Sequence, residues 1–271
     1  MNLADRMKLY EQAIEPSLLP RLPILARLDG KCFHAWCHGL QRPFDQGFVS
    51  LMDLTCARLV EETSARCGYA QSDEITLLWQ AENPDQQLFM GSRHSKMVSV
   101  LASICTSFFA EAVPRLLPAK TATPARFDCR VWNVPDRTEA ANCFVWRELD
   151  AARNSVSMVA QTHFSHNSLQ HLSSAQMQER LWQEKGINWN DLPARFKRGG
   201  YVLRRVVTRA FEASEIELLP PLHEARRNPD LVVERSLIDH VELPRLTTII
   251  NREAVLFDGA EPLVADTEAE G

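Results

Sequence analysis

The sequence has little that would place the protein in a membrane. Its longest apolar run, residues 98–110, contains serine and threonine and is shorter than the roughly 18 residues that a membrane span needs. The first residues carry several charges and no apolar segment typical of a signal peptide. We therefore expect a protein without a targeting segment that neither crosses nor binds a membrane.

Paired cysteines are also missing. The seven cysteines are scattered along the chain, and no two of them stand in a C-x-x-C motif. This spacing suits neither a disulfide framework nor a zinc site. Reduced thiols are typical of the cytoplasm, so we expect a cytoplasmic protein.

An excess of positive charge is absent as well. Thirty lysines and arginines stand against 35 aspartates and glutamates, which gives a formal net charge of −5. This balance excludes a broadly basic nucleic-acid coat protein but leaves room for a local basic patch. The 271 residues are 45% hydrophobic and 24% charged, as expected of a globular protein with a sizeable core.

What the sequence does contain is an ordered series of strand-like and helix-like segments. In order, they are a strand at 24–28, a helix at 44–60, a hairpin at 68–79, a helix at 94–113, a strand at 127–134 and a helix at 137–162. The order β-α-β-β-α-β predicts an α+β protein with a ferredoxin-like sheet that has helices on one face. Additional helices and a C-terminal extension would complete the chain.

The composition changes near residue 210. Beyond it the chain becomes rich in proline and charge, and its hydrophobic periodicity is weak. We therefore predict a catalytic domain with helical insertions over residues 1–210 and a C-terminal extension over residues 211–271. The acidic end, DTEAEG, is expected to be disordered.

Two aspartates occupy positions that can converge in such a sheet. Asp29 follows the first predicted strand, and Asp73 lies at the turn of the predicted hairpin. Two convergent carboxylates suit Mg²⁺, which keeps most of its coordination sites for water and phosphate oxygens. Gly30 lacks a side chain, so its carbonyl can approach an ion and space remains for a nucleotide. A pair of such ions about 4 Å apart would catalyse phosphoryl or nucleotidyl transfer, although each motif taken singly is also typical of an ordinary polar turn.

Basic residues near these aspartates suggest a triphosphate site. Lys31 follows Gly30 directly, and Arg93, Ser95 and Lys96 stand at the start of a predicted helix, where free N–H groups favour anions. A solvated helix end explains the same residues. His34 alternates with aromatic residues, so it is as compatible with packing as with ligand binding.

A second basic group surrounds the glycines at 199–200, with aromatic residues between its members. It predicts a surface that contacts an RNA backbone, although an ordinary basic surface strand fits equally well. Its members are Lys197, Arg198, Arg204, Arg205 and Arg209.

Together, these motifs resemble those of the tRNA-histidine guanylyltransferase family and its bacterial and archaeal relatives. The family patterns R-x-D-G-x-x-F-H and Y-x-Q-S-D-E match residues 27–34 and 69–74. Shorter family patterns match in the same order at 42–45, 95–96, 127–131 and 196–202. The resemblance therefore covers most of the chain, from about residue 20 to about residue 205.

The resemblance implies a polymerase-like palm that adds nucleotides in the 3′–5′ direction to the 5′ end of tRNA, with two Mg²⁺ ions and with ATP or GTP as substrates. It implies a homo-oligomer, most simply a tetramer. Asp29, Asp73 and the Gly30 carbonyl would bind metal, and Asp29, Asp73 and Glu74 would be catalytic. The residues that would bind nucleotide are Asp29, Gly30, Lys31, Cys32, Phe33, His34, Asp45, Ser72, Asp73, Arg93, Ser95 and Lys96. Those that would bind RNA are Arg130, Asn154, Lys197, Arg198, Arg204 and Arg205.

One departure from the family pattern bears on the substrate. In the segment WRELDAARNSVSM, Ala152 stands where the eukaryotic members carry a histidine tied to strict histidine-tRNA handling. Templated repair of 5′-truncated tRNA, the activity implied by the bacterial and archaeal relatives, is therefore expected rather than strict guanylylation. Two other functions remain open: a palm-type nucleotidyl cyclase, which would need no RNA, and a non-catalytic RNA-binding module.

Overall fold

The computed structural model describes residues 1–228 and 230–265; the predicted acidic tail, residues 266–271, lies outside the described residues. The strands are β1 Ile24–Gly30, β2 Cys67–Gln71, β3 Glu74–Trp79, β4 Phe127–Asn133, β5 Gly200–Ala210 and β6 Val232–Val241. They form one antiparallel sheet in the order β4-β1-β3-β2-β5-β6.

Helices connect and cover these strands. They are α1 Leu3–Gln12, α2 Phe33–Trp36, α3 Gln46–Thr63, α4 His94–Leu116, α5 Arg137–His163, α6 His166–Leu169, α7 Ser174–Lys185, α8 Ala194–Arg198, α9 Ala213–Leu218 and α10 Arg252–Asp258. The series β1, α3, β2, β3, α4, β4 is the predicted order, and the predicted long helix appears as α5. The fold is therefore a mixed one of helices and an antiparallel sheet.

The prediction that helices cover one face of the sheet is wrong. Ile24, Ala26 and Leu28 of β1 belong to the core under α3 and α4, whereas Leu25 belongs to a second core with residues of α5 and α10. Every residue of β3 is buried. Because the central strands are apolar on both sides, both faces of the sheet need a covering layer.

Helix α4 has the length and hydropathy of a membrane-spanning helix, the one such helix among the described residues. In the structure, however, its apolar stripe packs against the sheet through Met97, Leu101, Cys105 and Phe109, which are all fully buried. A core helix of this kind passes the same composition test, so the prediction of a buried helix describes this segment.

The chain after residue 210 joins the same sheet. Strand β6 pairs with β5 from Tyr201–Val241 to Ala210–Val232, and α10 buries Val255, Leu256 and Phe257. Neither element was predicted, because the apolar residues of β6 do not alternate with polar ones and α10 is short. The domain boundary at residue 210 stays a prediction; in the structure, the chain on both sides of it contributes to one sheet.

The strand directions give the sheet two functionally different ends. Asp29 of β1 lies opposite Glu74 of β3, and Ile24 lies opposite Trp79. The end of β1, the turn between β2 and β3 and the start of β4 therefore lie at the same end of the strands, called here the carboxylate end. The opposite end of the strands, called the far end, lies about 20 Å away, the length of six residue steps along β1.

Candidate active site

The two aspartates meet at the carboxylate end. The backbone N–H of Gly30 donates a hydrogen bond to the carbonyl of Asp73 at 3.1 Å, which ties the end of β1 to the hairpin turn. Burial raises the pKa of Asp73, a hydrogen bond from Ser72 Oγ at 3.0 Å lowers it, and the charge of Asp29 raises it further. The two carboxylates are therefore close enough to repel each other.

The turn that carries Asp73 has a specific backbone geometry. Only Ser72 and Asp73 separate β2 from β3, and Ser72 has a positive φ of 46°, a region that non-glycine residues seldom occupy. A positive φ at the first turn position is typical of tight hairpins. The turn thus directs Asp73 toward Asp29 and points Ser72 outward.

The two carboxylates have the properties of a magnesium site. Among the described residues, no lysine, arginine or histidine forms an ion pair with Asp29 or Asp73, and no group of three or more metal-binding side chains occurs. Two unpaired, partly buried carboxylates are costly unless a cation meets them. Mg²⁺ needs few protein oxygens, so this pair fits it.

Gly30 is in close contact with the ring of Phe33. A Cβ at this position would lie 2.5 Å from Cγ of Phe33, so the ring fills the space beside the Gly30 Cα that was expected to stay open. The predicted contact of the Gly30 carbonyl with a metal ion stays a prediction. Phe33 itself is buried in an aromatic cluster with Trp36, Phe109 and Phe127. Phe33 also lines the cleft described below, with little of its ring exposed, and its predicted contact with a nucleotide stays a prediction.

Three of the residues that follow β1 are open to solvent. Lys31, Cys32 and His34 are exposed, and Cys32 has a φ of 60° at the start of α2. The first N–H groups of a helix have no partner within it and can bind phosphate oxygens. The exposure of these residues is compatible with contacts to a triphosphate, and those contacts stay a prediction.

A cleft of about 440 Å³ opens beside the carboxylates. Its walls come from the β2–β3 turn, the start of α3 and the C-terminal half of α5, and they include His34, Ser72, Asp73 and Asn154. The rings of Phe44 and Phe196 stack at 4.7 Å and both line this cleft. Its volume is in the range of small-molecule and cofactor sites.

Asp45 lines the cleft but is engaged within the chain. One carboxylate oxygen accepts a hydrogen bond from the Phe48 N–H at 3.0 Å and caps α3, and the other accepts one from the Gln41 N–H at 3.0 Å. Both oxygens thus hold the loop before α3. Its predicted contact with a nucleotide stays a prediction.

Glu74 is a buried ion-pair partner rather than a free acid. Arg147 donates two hydrogen bonds to it, at 2.7 and 2.8 Å, and Arg27 Nε lies 3.8 Å away. Burial raises the pKa of Glu74, and the bonds from Arg147 oppose that rise. Both oxygens are occupied, so Glu74 anchors the start of β3, next to Asp73, to α5; its predicted catalytic role stays a prediction.

Three predicted triphosphate residues lie at the far end. Helix α4 follows β3 and runs back along the sheet for 23 residues, or about 34 Å. Its first turn, with Arg93, Ser95 and Lys96, therefore lies away from Asp29. The Ser95 N–H donates to Glu15 Oε1 at 3.2 Å. Within one chain, these residues therefore do not share a site with the aspartates, and their predicted contact with a nucleotide stays a prediction.

The basic residues near Gly200 do not form one exposed face. Arg204 donates to the carbonyls of Val60 and Ala65 at 2.6 and 3.0 Å, where α3 ends. The other members also have partners within the chain: Arg205 pairs with Glu261, Arg209 with Glu215, Lys197 with the Asn190 carbonyl, and Arg198 approaches Glu148. Their RNA contact stays a prediction, and the geometry gives each a structural role.

Arg130 and Asn154 remain exposed at or near the carboxylate end. Arg130 lies on β4 opposite Arg27, and Asn154 lines the cleft. Arg147 was not predicted as part of the site, because its partner Glu74 stands 73 positions away in the sequence and no local pattern indicates such a pair.

Paired carboxylates at strand ends beside a cleft of this volume are typical of one class of protein, the enzymes that transfer phosphoryl or nucleotidyl groups. Comparison with known proteins identifies the family. The family model described as Thg1: tRNAHis guanylyltransferase matches residues 4–135. A bacterial tRNA(His) guanylyltransferase (Thg1)-like protein solved in complex with ATP is 40% identical, with a TM-score of 0.71 over 74% of this chain and 88% of that one.

Two further matches agree. A bacterial Thg1-like protein solved in complex with GTP is 32% identical, with a TM-score of 0.68 over 90% of this chain and 94% of that one. The probable tRNA(His) guanylyltransferase of Drosophila melanogaster is 26% identical over 252 residues, 88% of this chain and 84% of that protein. The chain belongs to the tRNA(His) guanylyltransferase (Thg1) family of nucleotidyltransferases. The resemblance inferred from the motifs is confirmed.

Proposed function

We propose that the protein adds nucleotides in the 3′–5′ direction to the 5′ end of tRNA and repairs 5′-truncated tRNA under the direction of a template. The observation that carries this proposal is the unpaired Asp29–Asp73 couple beside the cleft, in a chain of the Thg1 family. The sheet would act as a polymerase-like palm, with its carboxylate end as the catalytic edge.

The reaction would proceed in two steps. The 5′-monophosphate end first attacks the α-phosphorus of ATP or GTP, and pyrophosphate leaves. The 3′-hydroxyl of an incoming nucleoside triphosphate then attacks the activated phosphorus, and the activating nucleotide leaves as its monophosphate. The chemistry that bound Mg²⁺ supplies is neutralisation of the attacking and leaving oxygens. Asp29, Asp73 and the Gly30 carbonyl are the groups that would hold it.

The rest of the chain positions the reactants. The β2–β3 turn, held by the Glu74–Arg147 pair, keeps Asp73 oriented toward Asp29. Lys31 and the backbone N–H groups from Cys32 to His34 surround the place of a triphosphate, and the cleft between α3 and α5 accommodates a nucleoside. These contacts fix the geometry in which a hydroxyl can attack in line.

Base pairing, rather than recognition of one tRNA, is proposed to choose the nucleotide. Ala152 of α5 is half-buried and packs against an apolar cluster with Val156 and Leu181, so this position presents no polar group to a substrate. A 5′-truncated acceptor stem leaves an unpaired template base opposite the missing nucleotide. Pairing then orients the correct triphosphate, and orientation can lower a barrier by several kcal/mol.

The test uses labelled nucleoside triphosphates, Mg²⁺ and tRNAs that lack their first nucleotide, with each template base in turn. We expect the added nucleotide to follow the template base in several tRNA species. Addition of guanosine to histidine tRNA alone, whatever the opposing base, would establish strict guanylylation instead. A cyclic product without RNA extension would establish a cyclase, and RNA binding without any product would establish a non-catalytic module.

The assembly and the cellular place of the protein are also proposals. We propose a homotetramer, since a tRNA is large relative to one chain, and a cytoplasmic location, where tRNA is processed. Light scattering during turnover should give a mass four times that of the chain. A fully active monomer would contradict the tetramer.

A further inference from the structure

A half-exposed tryptophan lies against two arginines next to the carboxylate end. Trp146 of α5 is 50% exposed. The guanidinium carbons of Arg147 and Arg27 lie 4.6 and 5.7 Å from the centre of its ring. Contacts of this kind attract a cation to an aromatic face and restrict the indole. The exposed part of the ring is therefore presented to solvent in a defined orientation.

Two arginines lie opposite each other on the sheet beside this indole. Arg27 of β1 lies directly opposite Arg130 of β4, and like charges at opposite positions repel each other. Arg130 is exposed, and its guanidinium group forms no ion pair or hydrogen bond with the other residues that the structure describes. Because Arg27 is already close to the Glu74 carboxylate, Arg130 is the arginine of this pair that is available to an anion.

The position of this surface separates it from the cleft. Arg27 precedes Asp29 by two residues on the same strand, a distance of about 7 Å. The cleft opens on the side of the β2–β3 turn and α3, whereas Trp146 and Arg130 lie on the side of β1 and β4. A ligand on this second side would approach the same carboxylates from a direction that a nucleotide in the cleft leaves free.

We propose that Trp146 and Arg130 form a binding platform for the RNA strand that carries the reacting 5′ end, with a base stacked on the indole and a phosphate at Arg130. An exposed aromatic ring next to free arginine is the combination that binds single-stranded RNA, because every base has a π-face and every linkage carries a negative charge. The proposal rests on the proposed function and identifies where its RNA substrate lies.

The structure also permits a simpler role for the indole, shielding of the buried Glu74–Arg147 pair from water. The two roles differ in what they affect. Shielding changes the stability of the fold and the cleft beside the turn, whereas a platform changes RNA affinity alone. The conservative variant Trp146→Phe keeps an aromatic face, so a platform should tolerate it.

The test measures binding of a 5′-truncated tRNA by fluorescence anisotropy, in EDTA so that no chemistry occurs. The variants are Trp146→Ala, Trp146→Phe and Arg130→Gln, and the matched control is Trp182→Ala, which removes another exposed tryptophan, on α7. We expect Trp146→Ala to weaken RNA binding about 5- to 100-fold, and Trp146→Phe and Trp182→Ala to change it little. Arg130→Gln should reduce the salt dependence of binding by about one phosphate contact.

Two further measurements distinguish the outcomes. ATP affinity and the midpoint of thermal unfolding should stay unchanged in all four variants. Unchanged RNA affinity in Trp146→Ala would overturn the platform, and so would a loss of stability or ATP affinity that accounts for the weaker RNA binding. If the wild-type protein extends RNA but the variants bind it normally, only the platform fails. If the wild-type protein neither binds nor extends RNA, the proposed function itself fails.

Discussion

At the scale of single residues, the site brings together two carboxylates whose mutual repulsion lowers the stability of the fold. Asp73 is partly buried next to Asp29, and both its burial and that neighbouring charge raise its pKa. No described cationic side chain compensates either carboxylate. Such uncompensated charge is typical of functional sites, where stability is lower than the fold would otherwise allow.

The first prediction follows from this balance. Asp29→Asn or Asp73→Asn should lower nucleotide addition by about 100-fold or more, since each removes a carboxylate that would hold the metal ion at the reacting oxygens. In EDTA, Asp73→Asn should be as stable as the wild type or more stable at neutral pH, because the wild-type carboxylate is ionised there against a raised pKa. That stability difference should shrink as the pH falls through the raised pKa, when Asp73 takes up a proton. Urea titrations over pH would measure it; substantial residual activity in either variant would contradict the metal assignment.

The second prediction concerns Gly30. In Gly30→Ala, the new Cβ would overlap the ring of Phe33, and overpacking of this kind costs about 1–3 kcal/mol of unfolding free energy. Urea denaturation would measure that loss. The double variant Gly30→Ala with Phe33→Leu should lose less than the sum of its two single variants. Strict additivity would show that the two positions do not compete for the same space.

At the scale of helices and strands, arginines connect elements that are distant in sequence. Arg147 of α5 forms an ion pair with Glu74 of β3. Arg195 of α8 forms an ion pair with Asp53 of α3, with 2.7 Å between nitrogen and oxygen. These pairs set the width of the cleft, since α3, α5 and the turn before β3 form its walls. The site is therefore a product of packing between elements rather than of one loop.

The third prediction separates a structural arginine from an RNA-binding one. Arg204 donates to the carbonyls of Val60 and Ala65, so Arg204→Met should lose about 1–3 kcal/mol of unfolding free energy by leaving buried acceptors unpaired. RNA affinity and its salt dependence should stay unchanged, in contrast to Arg130→Gln. A weaker RNA complex with unaltered stability would restore the interpretation of Arg204 as a phosphate contact.

At the scale of the whole molecule, the C-terminal part is built into the sheet and its core. Val255, Leu256 and Phe257 of α10 are almost fully buried and belong to the same core as Phe144 of α5. Strand β6 pairs with β5 from Tyr201 to Ala210. Removing both elements would expose apolar surface and an unpaired strand edge.

The fourth prediction is that a chain of residues 1–210 does not fold cooperatively. We expect low solubility and no sharp transition in circular dichroism on heating. A control chain that ends at residue 265 retains every described element and should melt as the full chain does. A soluble 1–210 fragment with a sharp melting transition would support the domain boundary at residue 210.

The fifth prediction uses the position of α4. Arg93, Ser95 and Lys96 lie at the far end, so a triphosphate held by them and by Asp73 would have to lie between two copies of the chain. If so, mixing inactive Asp73→Asn and Lys96→Ala proteins under conditions of subunit exchange should restore part of the activity. Two variants that stay inactive when mixed would place these residues outside the site.

Much of the architecture was predictable because it depends on local patterns. The strands β1 and β4 and the helices α3, α4 and α5 follow from apolar periodicity, and the β2–β3 hairpin follows from two such runs around a polar turn. The placement of Asp29 and Asp73 at one edge then follows from strand order alone. Motifs of this kind also identified the family.

Other features depended on contacts that no local pattern reports. The sequence by itself determined the order of the elements, the two carboxylates and the family, because these depend on residues close together along the chain. Only the tertiary structure decided that both faces of the sheet are covered, that Glu74 is bound by Arg147, and that Arg93 to Lys96 lie at the far end. Burial, ion pairing and the direction of a helix relative to the sheet are set by which distant segments pack together, and packing is decided by the whole chain at once.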